Sequence, residues 1–220
     1  MSEKLLVTQA LDERDLLIKK IGDKIGNASF LDSVKPNEEK VLNAQQTRDE
    51  FAKKVSSAYQ QIEDLITRFA KIDAAIVASN AATMIETSYG SFTVAAAISL
   101  RSRIKGIGSF GSEADFEGML YKKLTGEYED MVQRIDLKNR QLQSTAENMR
   151  LSILGKDSKV KNDKPLDVVD AYVKENTTEL VDPLDIQKKA EQLKEKRDAL
   201  LTELDTQIKV SNATTFVEID

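Results

Sequence analysis

Gly106-Ile107-Gly108-Ser109-Phe110-Gly111 satisfies G-x-G-x-x-G, the spacing with which a glycine turn brings backbone N–H groups up to a dinucleotide pyrophosphate. That chemistry needs a strand before the turn and a helix after it. Here a helical pattern over 99–105 precedes the turn, and no parallel-strand pattern lies nearby. A flexible linker is the simpler reading, with a ligand- or nucleotide-binding loop from Gly106 to Gly111 as the alternative. Just upstream, Ser102-Arg103-Ile104-Lys105 satisfies S-x-x-K, the pairing that sets a serine beside a lysine in penicillin-recognising enzymes. Its companion motifs are missing. The chain has no histidine, no cysteine and no tryptophan. An imidazole base, a thiolate nucleophile, a disulfide and a thiolate zinc site are therefore excluded. Carboxylates are plentiful, yet their spacing gives no catalytic pair or metal cage. The expectation is a protein that is not an enzyme and uses no cofactor or metal.

The elements that would position these groups are helices with narrow apolar seams. Residues 37–89 contain neither Gly nor Pro. Within them Val41, Ala44, Arg48, Phe51, Val55, Ala58, Ile62, Leu65, Phe69, Ile72 and Ile76 alternate steps of three and four, a heptad seam. The spacing predicts one helix from Asn37 to about Asn80. Val7, Ala10, Arg14, Leu17, Ile21 and Ile25 predict a first helix that closes near Gly22 and Gly26. Asp182-Pro183-Leu184-Asp185 reads as a helix start, with Asp182 as the cap and Pro183 in the first turn. Ile186, Ala190, Leu193, Arg197, Leu200, Leu204 and Ile208 continue it as another seam. Residues 91–105 predict a short alanine-rich helix. Residues 113–154 predict a longer one on Tyr128, Met131, Ile135, Lys138, Leu142, Thr145 and Met149, and 156–164 a polar linker.

Four arginines fall in or beside these seams: Arg14, Arg48, Arg101 and Arg197. Snorkelling, or ion pairing with neighbours such as Glu13, Asp49 or Asp198, accounts for them simply. The sharper reading makes them register-setting groups that govern helix pairing and partner choice.

Residues 72–86 and 204–218 form an internal repeat at an offset of 132, identical at seven of fifteen positions. Both copies end a heptad helix in Ser-Asn-Ala, so Asn80 and Asn212 read as C-terminal caps, with short extended tails after them that pair with one another. The tails and Glu179-Leu180-Val181 would make a small β element. A second echo sets Ala10-Leu11-Asp12-Glu13-Arg14 against Ala97-Ile98-Ser99-Leu100-Arg101.

On Ala10 to Arg14 with Leu16-Leu17, residues 21–28, 72–82 and 91–104, and the closing block from Val181 to Glu218, the chain resembles the septicolysin-like family of small, mostly uncharacterised bacterial proteins. The likeness covers roughly 4–105 and 178–218. Residues from about Gly106 to Asn176 stand as an insertion, and Ala213 replaces the tryptophan that comes after the family's terminal Asn. The resemblance implies a helical fold and self-assembly, and the family name suggests a membrane-active lysin as a further alternative. It implies no reaction.

Together these readings predict a mainly α fold: a long antiparallel helical bundle or coiled-coil core with a small β element at the helix ends. Residues 1–105 and 177–220 would form the core and 106–176 an inserted helical arm. A formal net charge of −5 argues against nucleic acid, and the longest apolar run, around Val94–Ile98, is far short of the ~20 residues of a membrane span. The sequence has no signal-peptide pattern. The expected function is a non-catalytic structural or assembly protein. It would form homo-oligomers through heptad seams, alone or with other proteins of a larger particle such as a phage virion, in the cytoplasm or in that particle.

Overall fold

Heptad seams and caps, more than intrinsic propensity, set the helices, as a computed structural model describing residues 3–41, 43–107, 111–156 and 164–219 makes clear. The order is β1 (Glu3–Leu6), α1 (Val7–Asn27), α2 (Arg48–Ala82), β2 (Met84–Thr87), β3 (Gly90–Thr93), α3 (Val94–Ile104), α4 (Phe116–Lys156), α5 (Lys164–Asn176), α6 (Ile186–Thr214) and β4 (Phe216–Ile219). The fold is mainly α, with two two-stranded sheets among the described residues. Two compact units divide it: Met1–Arg101 with Leu200–Asp220, and Ser102–Ala199.

In the first unit, α1 and α2 form an antiparallel pair: Arg14 meets Asp73, and ten residues further along α1 Lys24 meets Gln61. Val7, Ala10, Leu17, Ile72 and Ile76 are buried between them together with Val217 and Ile219 of β4. Each seam residue of α2 from Phe51 to Ile76 is buried or half-buried, as the three-and-four spacing requires.

The long helix begins later than the heptads imply. Val41 and Ala44 lie before α2, in a loop with a bridge between Lys40 and Thr47 and a left-handed Gln45. Local hydrogen bonds override the seam there. The Asp32 carboxylate accepts the Ala44 N–H at 2.8 Å and the Asn43 N–H at 3.2 Å. Thr47 then starts the helix with a capping box: its hydroxyl accepts the Glu50 N–H, and the Glu50 carboxylate accepts the Thr47 N–H at 3.0 Å.

The extended tails form as expected but pair differently. β2 pairs with β3, Ile85 opposite Phe92, and β4 pairs with β1, Val217 opposite Leu5. The two tails do not pair with each other, and residues 179–181 form no strand. Ser88 and Tyr89 turn the first ribbon, with Gly90 at φ 131° where a side chain would be strained. No turn joins the second ribbon; almost the whole chain separates its strands.

The ribbons reveal the order of the duplication. One half runs β1–α1 to α2–β2, the other β3–α3 to α6–β4, and each half lends strands to ribbons shared with the other. Where each ribbon meets its helices the backbone repeats itself. The Val94 N–H donates to the Thr83 carbonyl at 2.9 Å, and the Val7 N–H donates to the Thr215 carbonyl at 2.9 Å. Ala10 and Ala97 are both fully buried, as are Ile72 and Leu204.

In the second unit α4 runs antiparallel to α5, with Arg150 on Asp170 at 2.6 Å and Asn139 on the Thr178 backbone. These bonds fix the face that α4 buries. Val132, Asn139 and Arg150 are half-buried and Ala146 is buried, whereas Met131, Lys138, Thr145 and Met149 are exposed. The expected seam is thus right at Tyr128, Ile135 and Leu142 and one residue out between them. Helix α5 is absent from the sequence-based expectation, although Pro165 and Asp167 in its first turn and its valines at 168, 169 and 173 are ordinary helix signals.

Candidate functional site

The side chains that link distant parts of the sequence most specifically are arginines on carboxylates. Arg14 lies on α1 one turn beyond Ala10, where the seam brings it to α2; its Nη1 is 3.4 Å from Asp73 and its Nη2 3.4 Å from Asp15. Arg101 holds the equivalent place on α3 and reaches Asp205 of α6 at 3.3 Å. Asp73 and Asp205 are themselves partners in the repeat, so the two bridges are copies of one device.

Arg197 makes the most enclosed pair. Its guanidinium forms a two-pronged bridge to Asp115, the residue just before α4, and the two side chains are only 14% and 13% exposed. Asp115 also accepts the Gly118 N–H at 3.1 Å, so one carboxylate caps α4 and receives Arg197. The Arg197 bond is the chief reason its carboxyl is held below the usual carboxylate range, with the Gly118 N–H adding to it against partial burial. Gly118 is required by this arrangement, because a Cβ there would come within 2.2 Å of Asp115 Oδ2 and 2.8 Å of Arg197 Nη2. Beside the pair, Lys196 bonds Glu117 at 2.6 Å.

Arg48 does not belong to this set. It is exposed at the first position of α2, because the helix starts at the Thr47 cap instead of running through from Asn37. Arg14 divides its contacts evenly between the sequence neighbour Asp15 and the distant Asp73. Glu13 pairs with Arg68 at 2.8 Å, and Arg68 also reaches Glu3 of β1 at 2.7 Å. Sequence reasoning misses Arg68 because it flanks the α2 seam instead of interrupting it.

Asn80 and Asn212 are not caps. Each lies within its helix, which continues to Ala82 or Thr214, and neither has a left-handed backbone. The helices leave directly into extended chain, whose first N–H groups satisfy carbonyls of the last turn. The Thr83 N–H donates to the Ser79 carbonyl and the Thr215 N–H to the Ser211 carbonyl, both at 2.8 Å. The Thr8 hydroxyl donates to the Asn212 carbonyl at 2.8 Å. Asp182 bonds the Leu184 and Ile186 N–H groups, so α6 starts at Ile186, a turn later than Pro183 suggests.

A left-handed glycine stop does occur, at Gly106 with φ 68°. Its N–H donates to Arg103 O at 3.0 Å, and the Ile107 N–H donates to Ser102 O at 2.8 Å, the Schellman pair of bonds. The first glycine of the G-x-G-x-x-G run thus ends α3, and a helix precedes it where a dinucleotide site has a strand. Gly108, Ser109 and Phe110 lie outside the described residues. Among the described residues no three His, Cys, Asp or Glu side chains are placed to hold a metal. No helix among them is long and apolar enough to cross a membrane. An open cleft of about 420 Å³ in the second unit has Lys123, Glu127, Arg134, Tyr128, Leu180 and Val181 in its lining.

No family model, no curated protein and no solved structure matches the chain.

Proposed function

We propose that this chain is a non-catalytic structural or assembly protein that forms homo-oligomers through an apolar helix stripe left over after its own helices have packed. One observation carries the reading. Helix α2 bears two stripes: Ile62, Ile72 and Ile76 face its partner helix, while Tyr59, Ile66 and Val77 are 54%, 46% and 60% exposed on another face. Exposed apolar side chains aligned along one helix face mark a contact surface more often than scattered ones do. The arginine bridges support the same reading, since they tie helices together. The septicolysin-like resemblance, which implies self-assembly, agrees with it.

A subunit of a larger particle, such as a virion, is one form of this function, acting in the cytoplasm or within that particle. Light scattering over a wide concentration range tests the reading. Concentration-dependent growth in mass is expected, and a strict monomer at the highest concentration would overturn it.

A further inference from the structure

The strap between α1 and α2 suits a second structure besides the one it adopts. Over 37–47, Val41 and Ala44 continue the α2 seam upstream through Arg48 to Phe51. Glu38, Glu39, Lys40, Ala44, Gln45 and Gln46 are good helix formers, and Pro36 just before them is tolerated in a first helical turn. The loop that forms instead carries two costs. Gln45 has a left-handed backbone at φ 53°, unfavourable for a residue with a side chain. The Gln46 side-chain Oε1 is buried without a hydrogen-bond partner. A helix would remove both, because Gln45 would take an ordinary backbone and Gln46, two residues from Ala44 and from Arg48, would fall on the face away from the seam.

Against the helix stands one exposed carboxylate. Asp32 accepts the Ser33 N–H at 2.7 Å, the Ala44 N–H at 2.8 Å, the Asn43 side-chain amide at 2.9 Å and the Asn43 N–H at 3.2 Å. In a helix the N–H groups of Asn43 and Ala44 would bond the carbonyls of Glu39 and Lys40 four residues back. Carboxylate and helix therefore compete for the same donors. Glu50 is a second fastening, since its capping-box bonds with Thr47 exist only while Thr47 stands outside the helix.

We infer that the strap is a conformational latch: Asp32 keeps α2 short, and loss of its bonds lets residues 37–47 join α2 as one continuous helix, about three turns longer, with Val41 and Ala44 on its seam. The latch belongs to a single chain and stands apart from the proposed self-association. Acid releases it. The Ala44 N–H is the chief reason the Asp32 carboxyl titrates below its usual range, and the Thr47 N–H does the same for Glu50. Both fastenings are thus present above the ordinary carboxylate range and are lost as pH falls through the lowered values. The strap's own charges are Lys35, which bonds Glu38 at 3.2 Å, with Glu39 and Lys40. Arg48 and Asp49 lie beside Glu50 in the first turn of α2, and Lys24 near the end of α1 bonds Gln61. Lys40 adds to the lowering at Glu50, whereas N–H donors, opposed by partial desolvation, set Asp32.

The test is Asp32→Ala in the full chain at neutral pH, read by backbone NMR shifts and amide exchange. The expected result is a move of residues 37–47 to helical Cα shifts, continuous with α2, with slowed exchange along the stretch. Residues 37–47 that lose order without turning helical, or that keep the parent's shifts, overturn the latch. Adding Gln45→Gly relieves the left-handed turn and weakens a helix, so it should draw the stretch back from the helical state. A helix undiminished by that change overturns the competition. Should Asp32→Ala not fold, the parent titrated with acid gives the same readout. Helical shifts over 37–47 that arise while α2 keeps its own support the latch, and loss of the α2 shifts without them overturns it.

Discussion

Arg101 bridges to Asp205 across 3.3 Å just as Arg14 bridges to Asp73 across 3.4 Å, although one pair is 104 residues apart in the chain and the other 59. Equivalent side chains, brought together by halves with very different connections, make the same helix-to-helix contact. Seam arginines are thus part of the repeated scaffold.

The two bridges should therefore have similar coupling energies. Double-mutant cycles with Arg→Leu and Asp→Asn at 14/73 and at 101/205, followed by urea unfolding, are expected to give values below about 1 kcal/mol, because both pairs are partly exposed. A coupling several times larger at one pair would show that the halves use this contact differently.

Arg197 is a different case. Arg197→Leu leaves the enclosed Asp115 charge without its main partner and should cost about 2–3 kcal/mol. Its pH signature has a definite sign. Asp115 titrates lower in the folded chain than in the unfolded chain, so its contribution is fully present above the ordinary aspartate range and is lost as pH falls through the lowered folded value. Arg197→Leu should flatten that acid-side loss, checked by urea midpoints across pH.

Gly118→Ala probes the same pair from the backbone. The added methyl displaces Asp115 or Arg197, so a loss of about 1–3 kcal/mol is expected, although alanine is the better helix former. In an Arg197→Leu background the substitution should cost less, because only Asp115 then has to move. Equal losses in the two backgrounds would separate Gly118 from the ion pair.

Ile72 and Leu204 fill the same position in the two halves and are both fully buried. Each truncation to alanine should cost about 3–4 kcal/mol. Because the halves share both ribbons, either change should lower a single common unfolding transition. Two resolved transitions in calorimetry would show that the halves unfold separately.

Glu203 secures the turn of the β2–β3 ribbon, accepting the Ser88 N–H at 2.7 Å and the Ser88 hydroxyl at 2.5 Å. Those bonds lower its titration point, so the grip is present above the ordinary glutamate range and weakens as pH falls through the lowered value. Glu203→Gln should speed hydrogen exchange at Ser88 near neutral pH and remove its acid dependence.

Some of this is plain in the sequence. The α2 seam is legible from Phe51 onward because steps of three and four leave one face to bury. Its start is hidden because Asp32, eleven residues before Asn43, ties down the backbone that the heptads would have made helical. Asn80 and Asn212 mark the right neighbourhood for the wrong reason: the chain turns into a strand just after them, and the Ser79 and Ser211 carbonyls are bonded by Thr83 and Thr215 without any left-handed residue. Strand partners such as Leu5 and Val217 lie too far apart for spacing to reveal. The Arg197–Asp115 pair is half legible, since an arginine in an apolar seam announces itself and a lone aspartate ahead of a helix does not.

The placing of Val217 and Ile219 also bears on the order of events at the ribosome. The α1–α2 pair leaves the exit tunnel early, yet two of the side chains that fill its core lie on β4, more than a hundred residues behind Ile76. Until β4 emerges, that early hairpin carries an open apolar slot of its own. Nascent chains are thus exposed to wrong pairing, or dependent on chaperones, for most of their elongation.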